Sequence, residues 1–200
     1  VVYTPLPWSR SGIVESSGRS FLAENVPACG YKTFPVPPAT APKTSSDGAI
    51  ENEFFLVKLD SSRGTITSLV DKRTGREWVD ASAAQGLGQY LNERFDSKQI
   101  SNWNRDYTED RWKDTGWQNK IRPVLGKPGL PENVSYRAAS PANGSVAITR
   151  DELTQTAIMN LPGNPANNLP ATALRVTLRR GQPYVDLEVT IKDKARDNWP

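Results

Sequence analysis

The sequence contains no histidine and a single cysteine, Cys29, so acid–base or nucleophilic chemistry would fall to carboxylates, lysines and tyrosines. A serine or cysteine nucleophile relying on an imidazole base cannot be built, and neither can a zinc site that uses imidazole. Paired carboxylates are the remaining catalytic apparatus. Retaining glycoside cleavage, for example, needs two carboxyl groups about 5 to 5.5 Å apart. Glu51 and Glu53 lie two positions apart in a strand-like run, which would put them on one face about 7 Å apart along the strand. Asp186 and Glu188 repeat that spacing. A solvated strand face accounts for both pairs, and the sequence favours that reading.

The run from Leu87 to Phe95 offers a different kind of site. Read as one strand, it places Leu87, Leu91 and Phe95 on one face and Tyr90, Asn92 and Arg94 on the other. The second face is too polar for an interior and carries hydrogen-bonding groups that would suit a hydroxylated ring. Trp103, Trp112 and Trp117, with Tyr107 among them, lie in a stretch rich in charged residues and Asn, without helical or strand period. They could stack on sugar faces, but folding back as a cap over a core is the favoured reading. The triplets Asn133-Val-Ser135 and Asn143-Gly-Ser145 fit glycan acceptors. Asn143-Gly is equally a turn signal. Cys29 has no disulfide partner in the chain, and a free, buried thiol is expected.

The elements that would hold these residues are strands. Phe55, Val57 and Leu59 alternate with polar positions, Gly64 breaks the run, and Thr65 to Val70 resumes it. A polar turn ending at Gly75 then leads into Arg76 to Val79. Near the far end, Leu174, Val176 and Leu178 alternate with Arg175, Thr177 and Arg179. After Gly181 and Pro183, Val185, Leu187, Val189 and Ile191 alternate with Asp186, Glu188 and Thr190. This predicts an antiparallel hairpin with one dry and one wet face. Ser145 to Thr149 and Leu153 to Leu161 are weaker strands, as are Gly12 to Val14 and Phe21 to Val26. Residues 1–47 read as an extended or small β segment with a Pro-rich linker, and 48–200 as an antiparallel β-sandwich.

Composition narrows the partners. Lys and Arg exceed Asp and Glu by only three and are interspersed with them, so no basic stripe marks a nucleic-acid partner. No apolar run approaches the roughly 20 residues that span a bilayer, and a membrane partner is not expected. The chain opens without an initiator Met and closes on Pro200 just after a strand-like run. Both ends therefore look like cuts in a longer sequence.

Five segments, in order, carry a resemblance. The strand IENEFFLVKLD from Ile50 to Asp60 is followed by GTITSLVDKRTGRE from Gly64 to Glu77 and GQYLNERFD from Gly88 to Asp96. Together they resemble the start of the large C-terminal β-sandwich of glycoside hydrolase family 38. Further, KDKARDNWP from Lys192 to Pro200 is similar to that family's strand exit, and PLPWSRSGIV from Pro5 to Val14 to its preceding small β-domain. The matched segments make up about a quarter of the chain. Thr4 stands where many members have Asn, and residues 97–140 align with nothing.

The resemblance implies a galactose-mutarotase-like supersandwich, here incomplete, from a zinc-dependent retaining α-mannosidase. It further implies that the nucleophile and the zinc belong to an N-terminal catalytic domain outside this chain, which itself holds no cofactor. Tyr90, in the Gly-Gln-Tyr-Leu stretch, matches a tyrosine that reaches toward the sugar. Asn92 and Arg94 are the accompanying substrate-binding candidates. The expected function is structural and substrate-framing, with the catalytic domain and a carbohydrate as partners and no activity alone. The alternative is an autonomous carbohydrate-binding module, and a third reading is a purely structural interaction domain.

Overall fold

A computed structural model describes residues 1–16, 18–36, 38, 41–96, 98–99 and 135–195. The described residues are all-β and antiparallel. The N-terminal part holds β1 (Val2–Tyr3), β2 (Arg10–Ser16), β3 (Arg19–Val26) and β4 (Tyr31–Lys32). Next come β5 (Lys43–Ser45), β6 (Ala49–Glu51), β7 (Phe55–Asp60), β8 (Thr65–Asp71) and β9 (Arg76–Glu77). They are followed by β10 (Asn92–Arg94), β11 (Arg137–Ala139), β12 (Ser145–Arg150), β13 (Thr154–Leu161), β14 (Ala171–Arg179) and β15 (Asp186–Lys192). A single 3-10 turn, Pro165–Asn167, precedes β14.

Two sheets dominate. One has the order β6-β7-β8-β9 and the other β15-β14-β13-β12-β5. Period-two alternation sends Phe55, Val57 and Leu59 of the first sheet into the same buried cluster as Ile148, Ala157, Met159, Leu161, Leu174, Val176 and Leu178 of the second. One core fed by two antiparallel sheets is consistent with a β-sandwich-type fold. Val57, Ile148, Met159 and Val176 have no exposed surface, and full burial of a side chain of this size stabilises by about 1.5 to 3 kcal/mol.

A bulge keeps β8 in this core. The pairing passes from Lys58↔Ser68 to Leu59↔Ile66, which leaves Thr67 without an opposite residue. An unbroken strand would send Ile66 and Leu69 to opposite faces, but the extra residue lets both reach the cluster. At the end of β8, Asp71 accepts hydrogen bonds from Arg73 Nε and Nη2 at 3.0 and 2.8 Å. The Arg73 guanidinium also lies over Phe54 and Phe55, closing the polar turn onto the core.

The expected boundary between residues 47 and 48 needs refinement. The hairpin β2-β3 has a separate small cluster of Phe21, Ala23 and Val26, as a distinct N-terminal segment should. Yet β5, inside the expected linker, pairs with β12 and forms an edge of the five-stranded sheet. Arg150 fixes it by reaching across to Ser45 and to both oxygens of Asp47, at 2.9 and 3.0 Å. Proline content hid this three-residue strand, whose own residues Lys43, Thr44 and Ser45 can all take part in a ladder.

Two further expectations are corrected. Cys29 is exposed, held at φ 46° in the turn that joins β3 to β4, so its thiol is not a core group. The hairpin β14-β15 forms as expected, but Leu187, Val189 and Ile191 are about half exposed, at 46%, 49% and 48%. No residue of β15 belongs to the buried cluster. Its position at the sheet's edge, beyond the reach of that cluster, is the reason.

Candidate functional site

The run from Leu87 to Phe95 is not one strand. Leu87 makes an isolated bridge to Ile66 of β8, and its carbonyl accepts from Ile66 N–H at 2.9 Å and from Thr65 Oγ1 at 3.0 Å. Gly88 then turns the chain at φ 72°, a left-handed conformation that glycine adopts at least cost. Residues 89–91 lie outside any strand, and alternation restarts only at Asn92. Leu87 and Phe95 are consequently exposed rather than part of a dry face.

The structure brings Asn92 and Arg94 together and leaves Tyr90 apart. Asn92 and Arg94, two apart on β10, project to the same side and are both half-buried. They line a hollow of about 730 Å³ whose opposite wall is the 3-10 turn with Asn167 and Asn168. Tyr90 is half-buried in the preceding coil, does not line the hollow, and its hydroxyl makes no hydrogen bond to a described residue. The absence of a strand at Tyr90 explains why the shared face fails there.

Local chemistry explains each wall. β10 pairs with β11 so that Asn92 faces Ala139, Glu93 faces Ala138 and Arg94 faces Arg137. This register gathers two arginines beside the hollow, and because like charges directly opposite repel, it does so at a cost to the ladder. Tyr136 lies beside them, its hydroxyl donating to Glu93 at 2.8 Å and its ring 6.0 Å from Phe95. The Glu93 carboxylate stabilises the neutral phenol and pushes the Tyr136 pKa up. On the far wall Asn164 caps the 3-10 turn by accepting from Ala166 N–H at 3.1 Å. Asn168 closes that turn in the left-handed region, at φ 52°. Neither Arg94 nor Asn168 is without a partner.

Sequence reasoning missed Arg137, Asn167 and Asn168 as companions of Asn92 and Arg94. An Asn-Pro dipeptide at Asn164-Pro165 is a turn signal, but nothing local says that this turn faces β10.

The carboxylate pairs resolve as structural. Glu51 ends β6 with its carboxylate 3.5 Å from Lys72 Nζ. Glu53 lies across a turn in which the Asn52 side chain accepts from Phe54 and Phe55 N–H at 2.9 and 2.8 Å. The two glutamates therefore do not share a strand face. Asp186 and Glu188 do share one, and there they meet Arg179 and Arg175 of β14 as cross-strand ion pairs, the solvated ladder favoured from sequence. Trp103, Tyr107, Trp112, Trp117 and Asn133 lie outside the described residues. Asn143 is exposed at φ 55° in the turn before β12, as its Asn-Gly signal suggested.

What fold and site define together is an all-β antiparallel protein with a polar, amide- and guanidinium-lined hollow. No family model matches the chain, and a search of curated proteins finds no match.

Proposed function

We propose that this chain is the non-catalytic, substrate-framing region of a zinc-dependent retaining α-mannosidase, part of a galactose-mutarotase-like supersandwich. Two observations support the reading. The first is the ordered resemblance of Ile50–Asp60, Gly64–Glu77 and Gly88–Asp96 to family 38. The second, which carries most weight, is that Asn92 and Arg94 of the third segment line the hollow.

A sugar presents neighbouring hydroxyls that donate and accept. The Arg94 fork supplies several donors, and the Asn92 amide supplies both donors and an acceptor. Each such hydrogen bond contributes about 0.5 to 1.5 kcal/mol net. The groups can hold and orient a ring but have no means of breaking its glycosidic bond. Among the described residues no group of three or more His, Cys, Asp or Glu could hold a metal ion. In the family the chain resembles, zinc and the nucleophile belong to a separate catalytic domain, which we infer to be the partner of this region.

Saturation-transfer NMR with methyl α-mannoside, and methyl α-galactoside as the control, tests the proposal. The reading expects transfer to the mannoside that is lost in Arg94→Ala. Equal transfer to both sugars, or none to either, would contradict it.

A further inference from the structure

β15 is the terminal strand of the five-stranded sheet, and its outer edge pairs with no described strand. Its register sets Leu187 opposite Val176 and Val189 opposite Leu174, so its apolar side chains point to the core side of the sheet. Leu174 and Val176 are buried there, while Leu187, Val189 and Ile191 remain about half exposed. Unpaired backbone donors and acceptors beside an apolar stripe form a template for another strand.

The sequence of β15 indicates which strand. It reads Asp186-Leu-Glu-Val-Thr-Ile-Lys192, which is complementary to itself when reversed about its middle residue. Antiparallel pairing centred on Val189 sets Asp186 opposite Lys192 at both ends, Leu187 opposite Ile191 twice, and Val189 opposite its own copy. Opposite charges and β-branched or aliphatic pairs are the cross-strand combinations that stabilise a ladder. Glu188 falls opposite Thr190, so no like charges stand directly opposite, and the diagonal between the two Glu188 residues is offset by Lys192 on the other diagonal.

We propose that β15 is the self-association edge of this protein, joining two copies into one continuous sheet about a two-fold axis through Val189. The pairing is isologous, with the same patch on both copies. Seven residues a side amount to less than the roughly 1,200 Å² that marks a standard stable interface. The dimer is therefore weak and depends on concentration. The inference does not rest on the sugar reading, since β15 contributes nothing to the β10–β11 hollow.

Sedimentation velocity over a roughly hundredfold concentration range should show reversible monomer–dimer exchange. Lys192→Asp puts two acidic residues opposite each other at both ends and should weaken association by about tenfold or more. Asp186→Lys does the same with two bases, and an equimolar mixture of the two variants should recover association as a heterodimer. Because Asp186 also pairs with Arg179, Val189→Lys serves as a second variant that leaves that ion pair in place, and it should abolish the dimer. A chain that stays monomeric throughout, or a dimer indifferent to both Lys192→Asp and Val189→Lys, would overturn the proposal. The second result would assign association to another surface, and the first would leave the edge to a strand from elsewhere.

Discussion

Gly86 lies so close to Thr65 that a β-carbon added to it would come within 1.9 Å of the threonine hydroxyl and 2.6 Å of its β-carbon. This approach lets Leu87 bridge to Ile66 and sets the start of the path that leads to Asn92. Thr65 is buried and cannot move aside freely. Gly86→Ala should therefore destabilise by about 1 to 3 kcal/mol through overpacking. Gly12→Ala, on β2 with open space around it, should stay within about 0.5 kcal/mol. Urea unfolding of both variants checks the contrast.

Burial separates two apolar residues that sequence alternation treats alike. Met159 has no exposed surface and Val189 is 49% exposed. Met159→Ala should cost about 2 to 5 kcal/mol through lost contacts and a cavity. Val189→Asp, which alternation alone would place in a dry core, should cost about 1 kcal/mol or less. Thermal denaturation of the two variants at low protein concentration distinguishes them.

Most of the sheet framework was legible because period-two alternation is local. It located β7, β8, β12 and β13 to within about one residue and β14 to within about three, and it chose the inward faces of β7 and β14. What it could not supply depends on partners distant in sequence. Whether an inward face is covered depends on the opposing sheet, hence the exposed stripe on β15. The Thr67 bulge is visible only once Lys58 and Leu59 are paired. Asn92 and Arg94 do share one side of β10, as alternation placed them. Tyr90 was displaced by Gly88, whose φ above zero ends the alternation, and Arg137 and Asn168 arrive from remote parts of the chain.

The Arg150 hydrogen bond is the leading cause that holds the Asp47 carboxyl below the usual carboxylate range, helped by Ser45. A depressed folded-state pKa gives stability that is present above the unfolded value of 3.8. That stability is lost as pH falls through the folded value. Thermal midpoints recorded from pH 7 down to pH 2 should fall less steeply for Asp47→Asn than for the parent chain, the gap at neutral pH closing in acid. Parallel curves would show that the pair contributes nothing to pH dependence.

Hydrolysis of an aryl α-mannoside by the highly purified chain should be undetectable, with or without added zinc. The reason is chemical: the sequence contains no imidazole, Glu51 and Glu53 are separated by a turn, and Asp186 and Glu188 are engaged by arginines. Zinc-stimulated turnover that copurifies with the chain would refute the non-catalytic assignment.

Amide shift mapping of the isotopically labelled chain during titration with methyl α-mannoside tests the central claim most directly. The account predicts saturable shifts with a Kd on the order of millimolar, about 4 kcal/mol of binding, as befits one wall of a shared site. They should cluster at residues 92–94, 137–139 and 167–168 and disappear in Arg94→Ala. Shifts that map elsewhere, or none at saturating sugar, would contradict a sugar-framing hollow at β10 and β11.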